Sequence, residues 1–152
     1  MLLSLQEEFG LGDLQSFKAA TVLAGGVALR GETCGALLGA LMALGLAIGR
    51  ERMEDTEQYR QAMGPAQEVS QRFQEELQAQ FGLPSPLDST LCRDIQSRIY
   101  GRAFNMSDPN DLQAFLDAGG HSAQGCPKVS AVAAQVAAEQ LMKWEKGQGH
   151  IV

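Results

Sequence analysis

The sequence predicts an all-α fold, a compact single-domain helical bundle of about six or seven helices. Three observations lead there. Alanine, leucine and glutamine abound while runs of β-branched residues are almost absent, a composition that favours helix over strand. Apolar residues recur at steps of three and four, and glycine or proline punctuates the segments that carry them. The length of 152 residues with 45% hydrophobic content allows one core and is short for two, so one domain over residues 1–152 is expected.

The elements follow in order. Leu2, Leu3, Leu5 and Phe9 make a helical face that begins without a cap, as the tail of a longer helix would. Asp13 caps a second helix carrying Leu14, Phe17, Val22 and Leu23, which Gly25 and Gly26 end, and "GGVALRGE" follows as a loop. A third helix starts near Thr33 or Cys34 and stops at Ile48-Gly49. Its Gly35, Ala36, Gly39, Ala40, Ala43 and Ala47 let neighbours approach closely, which makes it the central helix. Gly35 and Gly39 also satisfy a membrane helix-pairing pattern. The apolar run from Cys34 to Ile48 is nevertheless shorter than the roughly 20 residues that cross a bilayer.

"RERMEDTEQYRQAM" reads as a charged helix that Gly64-Pro65 breaks or restarts, after which Val69, Phe73 and Leu77 form a stripe ending at "FGLPSP". This pair is expected to be a solvent-facing hairpin or excursion. Ser85, Asp88 or Ser89 then caps a short helix with Cys92 in its first turn and Ile95, Ile99 and Tyr100 on its apolar face. Ser107 or Asp108 caps the next, with Pro109 at the first helical position and Gly119-Gly120 at the end. In the last helix Cys126 stands at the N-cap and Pro127 in the first turn. Val129, Val132, Val136 and either Leu141 or Met142 face inward, and "EKGQGHIV" reads as a loose tail.

A net charge of −6 and no Lys/Arg cluster argue against a nucleic-acid partner, and no membrane segment is expected. "MLLSLQEEFG" lacks the basic start of a secretion signal, so the cytoplasm is the expected compartment. The three cysteines, Cys34, Cys92 and Cys126, contain no CxxC and are too few to pair completely within one chain. Each falls at an expected helix N-terminus, where unsatisfied N–H groups and the helix dipole favour a thiolate. A lowered pKa would make each a better metal ligand and a more readily oxidised sulfur. The competing role is that of a small core hydrophobe, common for any single free cysteine. His121, five residues before Cys126, is a candidate to orient a thiolate or bind metal, and Glu32 a candidate proton-transfer group beside Cys34, although both residue types are commonly just solvated.

"GRGETCGALLGALMALGL" after an "AGG", then "LCRDI", then "GCPKVSAVAAQVAAE" together resemble the C_GCAxxG_C_C family of redox-active proteins, small helical proteins with a CGAxxG motif and four characteristic cysteines. Residues 34–39 stand as the CGAxxG element, and Cys92 and Cys126 match the two later cysteines. The family's first cysteine has no counterpart here, because the chain starts where that segment would end. The family is similar in turn to the helical part of split-Soret cytochromes, which implies an iron–sulfur cluster or another metal ion as a possible cofactor; no CxxCH haem motif is present.

The expected function is therefore that of a redox protein in which Cys34, with Cys92 and Cys126 nearby, cycles between thiol and disulfide or holds a metal or iron–sulfur centre that carries electrons. The alternative is a non-catalytic metal-carrying or partner-binding helical module. An unidentified redox partner and a homodimer are expected, the latter because the Gly- and Ala-rich helix has close-packing surface to spare. Cys34, after Arg30 and ahead of what reads as the longest helix, is expected to have the lowest thiol pKa of the three.

Overall fold

A computed structural model describes residues 1–148 of the chain and shows an all-α protein. Helix α3 (Gly35–Ile48) lies at its centre, in contact with α1 (Leu2–Phe9), α4 (Thr56–Phe81) and α7 (Cys126–Gln148). Leu37, Ala40, Ala43, Leu44 and Ile48 are all buried, so this helix is covered on more than one side, as a helix rich in small and apolar residues must be. On α7 the buried apolar positions are Val129, Val132, Ala133, Val136, Ala137 and Leu141. Leu141 takes the inward place and Met142 is exposed. Among the described residues no helix is long and apolar enough to cross a membrane.

Helix α4 corrects the expectation of a solvent-facing hairpin. It runs unbroken through Gly64-Pro65 and buries Ala62, Val69, Phe73 and Leu77 against α3 and α7, with Phe73 fully inaccessible. An interior proline costs a helix about 3 kcal/mol, and burying three large side chains, each worth roughly 1.5–3 kcal/mol, offsets it. The charged stretch from Arg50 to Asp55 stays outside the helix. Gln58 in the first turn of α4 instead donates to the Ile48 carbonyl at 2.7 Å, closing the open end of α3.

The remaining helices are short. Asp13 caps α2 (Leu14–Ala20) by accepting from the Ser16 N–H at 2.9 Å while the Ser16 hydroxyl accepts from the Asp13 N–H at 3.0 Å. The α-helical part ends earlier than expected, and Thr21–Leu23 continue as a 3-10 turn; neither segment buries a single residue. Helix α5 (Cys92–Tyr100) has Leu91 at its N-cap without a side-chain bond, so none of the expected residues caps it directly. Ser89 acts one step away, accepting from the Leu91 N–H at 3.2 Å and donating to Asp94 at 2.5 Å. Asp108 caps α6 (Pro109–Asp117) as expected, with Pro109 in the first turn. Of the tail expected to be loose, residues up to Gln148 belong to α7, and residues 149–152 lie outside the described residues.

The two glycines of the CGAxxG element answer to different neighbours. A Cβ at Gly35 would stand 2.6 Å from the backbone carbonyl oxygen of Leu23, whereas a Cβ at Gly39 would meet the terminal methyl of Met1 at 2.2 Å and the Leu2 Cβ at 3.4 Å. A backbone oxygen cannot step aside; a methionine methyl can. Gly35→Ala should therefore lower stability by about 1–3 kcal/mol, while Gly39→Ala should stay within about 1 kcal/mol of the parent because alanine's better helix propensity offsets a small shift of Met1. Urea denaturation midpoints check this, and equal losses at both positions would contradict it.

Candidate functional site

The site begins in the loop between the 3-10 turn and α3. Gly25, Gly26, Val27, Ala28, Leu29 and Gly31 all have φ between 52° and 73°, a left-handed coil that includes three non-glycine residues. Left-handed backbone costs an L-residue about 1–2 kcal/mol, and a β-branched valine there is rare. Backbone bonds hold the coil: the N–H of Ala28 donates to Val22 at 2.8 Å, that of Leu29 to Ala24 at 3.1 Å, and that of Glu32 to Gly26 at 2.9 Å. Gly26 is buried, and a Cβ on it would lie 2.6 Å from both the Cys92 Cβ and the Glu32 carbonyl oxygen. No side chain fits between the coil and α5.

The coil delivers Thr33 to Leu91, where the two make a lone antiparallel bridge. The Cys34 N–H donates to the Thr90 carbonyl at 2.8 Å, and the Cys92 N–H to the Glu32 carbonyl at 2.7 Å. Arg93 adds a third bond, N–H to the Gly31 carbonyl at 3.1 Å, and its guanidinium pairs with the Glu32 carboxylate at 3.1 Å. Glu32 is thus turned to an exposed ion pair rather than into the site. Cys34 is the N-cap of α3, and Cys92 and Cys126 are the first residues of α5 and α7.

All three sulfurs line one cavity of about 540 Å³, together with Gln96, Phe115 and His121. All three cysteines are free; Cys34 and Cys92 are buried and Cys126 is half-buried. Gln96, only 3% exposed, donates to the Cys92 sulfur at 3.7 Å and accepts from the Phe104 N–H at 2.9 Å, so it ties the thiol to the following loop. The Tyr100 hydroxyl is buried beside Gly125 and faces the Cys126 sulfur without the geometry of a hydrogen bond. Edge-to-face packing of Tyr100, Phe104, Phe115 and His121, with centroids 5.5–6.0 Å apart, backs this side of the cavity. Sequence reasoning missed Gln96 and gave Tyr100 only a packing role. The signal was present: Cys92, Gln96 and Tyr100 are spaced four apart and share one face of α5.

The expected thiolates are corrected. Burial pushes the Cys34 thiol up, against the smaller opposing pull of the Ala36 and Leu37 N–H groups, and pushes Cys92 up to about 12, with Cys34 and Cys126 adding to the shift. Burial also raises Cys126, partly offset by the Tyr100 hydroxyl. The helix dipole is present at each cysteine, yet desolvation wins because each sulfur faces a largely apolar cavity and the leading N–H groups of α5 are already spent on loop carbonyls. Arg30 makes no contribution to Cys34.

A four-thiolate iron–sulfur ligand set needs one more cysteine than this chain has. Among the described residues no group of three or more His, Cys, Asp or Glu is arranged to hold a metal ion. The three cysteines of residues 1–152 alone supply no more than three of the four thiolates such a cluster takes.

Accessibility sets the order of reaction. Alkylation of the native protein near neutral pH, read by peptide mass mapping, should label Cys126 ahead of Cys34 and Cys92; Cys34 labelled first would contradict the burial just described. Folded thiols that keep their protons above the pH at which the unfolded chain releases them also make stability pH-dependent. The thiol contribution should be level up to about pH 8.5 and fall as pH rises beyond it, because there the unfolded chain binds fewer protons. For Cys92 the fall extends to about 12. Cys92→Ala should flatten the alkaline limb of a urea-midpoint profile, and an unchanged slope would count against a buried neutral thiol.

The comparisons with known proteins agree with the motif. A family model described as "Putative redox-active protein (C_GCAxxG_C_C)" matches residues 1–140. No curated protein and no solved structure matches the chain. With most of its length matched, and with Cys34, Cys92 and Cys126 inside the matched range, the chain belongs to the C_GCAxxG_C_C family.

Proposed function

We propose that the protein is a two-electron thiol redox protein whose working sulfurs are Cys34, Cys92 and Cys126. The observation that carries this reading is that three free thiols, far apart in sequence, line the same cavity. Cys126 is the most accessible and is the sulfur at which oxidant arrives. Charge on Cys34 or Cys126 opposes ionisation of Cys92, and charge on Cys34 opposes that of Cys126, so each sulfur lies within electrostatic reach of the others.

The step balances as thiol–disulfide exchange. The Cys126 thiol gives its proton to solvent and attacks a substrate disulfide, whose other sulfur leaves as a thiol. Cys34 then loses its proton and attacks the Cys126 sulfur, forming the internal disulfide and releasing the second substrate sulfur as a thiol. Two electrons and two protons pass from the protein to the substrate. Raised thiol pKa values make the reaction slow at neutral pH until an occupant or a local opening frees a thiolate, since the thiolate is the nucleophile.

Diamide, a neutral acceptor of two electrons and two protons, provides the test. Treated in its reduced state, the protein should lose two of its three thiols without joining chains, and mass mapping should find Cys34 in the new disulfide. Cys34→Ser should abolish the internal disulfide while leaving the helical circular dichroism unchanged. Disulfides formed only between chains, or no thiol loss before denaturation, would overturn the reading.

A further inference from the structure

We infer that the cavity beside the thiols is a binding site for one uncharged, predominantly apolar small molecule. This goes beyond the redox reading and does not require it. The volume of about 540 Å³ lies within the range of small-molecule sites, roughly 300–1,000 Å³. No Asp, Glu, Lys or Arg is among the residues that line it. A charged ligand would give up its hydration there with no Asp, Glu, Lys or Arg side chain to replace it. Apolar and small residues form most of the walls, while Thr21, Gln96, His121 and Ser130 supply a few polar atoms to orient an occupant.

The outer wall gives the second, independent observation. It is built by α2, the 3-10 turn and the left-handed coil, and the first two of these bury none of their own residues. Phe17 and Leu29 line the cavity yet remain 40% and 41% exposed. Apolar side chains left half-open around a cavity gain most from a ligand that covers them, and the gain scales with the apolar area removed from water. The strained coil adds to the case, because backbone held in a sparsely populated region concentrates at functional sites. When the occupant is itself a disulfide, it sits against the sulfurs that would exchange with it, and in that event its redox role rests on the function proposed above.

The test uses N-phenyl-1-naphthylamine, which is neutral, and 8-anilino-1-naphthalenesulfonate, which has the same aromatic frame and a sulfonate. Titrated into the full reduced chain, the neutral probe should saturate near about one molecule per chain, and the anionic one should bind at least about tenfold more weakly. Bound neutral probe should slow modification of Cys126 by methyl methanethiosulfonate. Ala20→Trp, which fills the cavity from α2 where nothing is buried, should weaken the neutral probe by about tenfold or more. Probe binding is read on the reduced parent with no oxidant present, which separates failure of this site from failure of the redox reading. No saturable binding to the parent, equal affinity for both probes, or no protection of Cys126 would overturn the inference.

Discussion

Two backbone hydrogen bonds, from the Cys34 N–H to Thr90 and from the Cys92 N–H to Glu32, bracket the Thr33–Leu91 bridge and hold the first turns of α3 and α5 side by side. Each is worth only about 1 kcal/mol net, but together they decide which residues meet. They bring two cysteines from distant parts of the chain to one cavity, and at α5 the Cys92 bond uses up a leading N–H group. Helix α7 completes the arrangement from the other side, because its packing on α3 carries Cys126 to the same wall.

The glycines around this bridge are explained by what touches them. Gly26 leaves room for the Cys92 side chain, and Gly35 leaves room for the Leu23 carbonyl, so coil, central helix and α5 can lie within backbone contact of one another. The left-handed coil between them is costly for Val27, Ala28 and Leu29, and is retained because its carbonyls reach the N–H groups of Gly31, Glu32, Cys92 and Arg93. The same closeness explains the chemistry. Thiols packed into an apolar enclosure are neutral and protected, so reactivity is governed by access and by what occupies the cavity rather than by the helix dipole.

Much of this was legible in the sequence. The helix order, the central place of the Gly- and Ala-rich segment, the Asp13 and Asp108 caps and the place of Cys34, Cys92 and Cys126 at helix starts all follow from periodicity, capping chemistry and motif. Three things did not follow. Pro65 suggested a break, since local propensity does not register the burial of Phe73 and Leu77 that holds α4 together. "GGVALRGE" was readable as a loop, but no composition rule places Val27, Ala28 and Leu29 in left-handed backbone, because the bonds that hold them there are tertiary. The thiol pKa values went the other way because a helix start can be located from sequence while its burial cannot.

The most direct measurement is nuclear magnetic resonance detection of scalar couplings across the two bridging hydrogen bonds in the reduced protein, labelled with ¹⁵N and ¹³C. The account predicts a coupling from the Cys34 amide nitrogen to the Thr90 carbonyl carbon and another from the Cys92 amide nitrogen to the Glu32 carbonyl carbon, with both amides protected from hydrogen exchange. Absence of both couplings, with the two amides exchanging as fast as those of exposed loops, would contradict the claim that this bridge assembles the site.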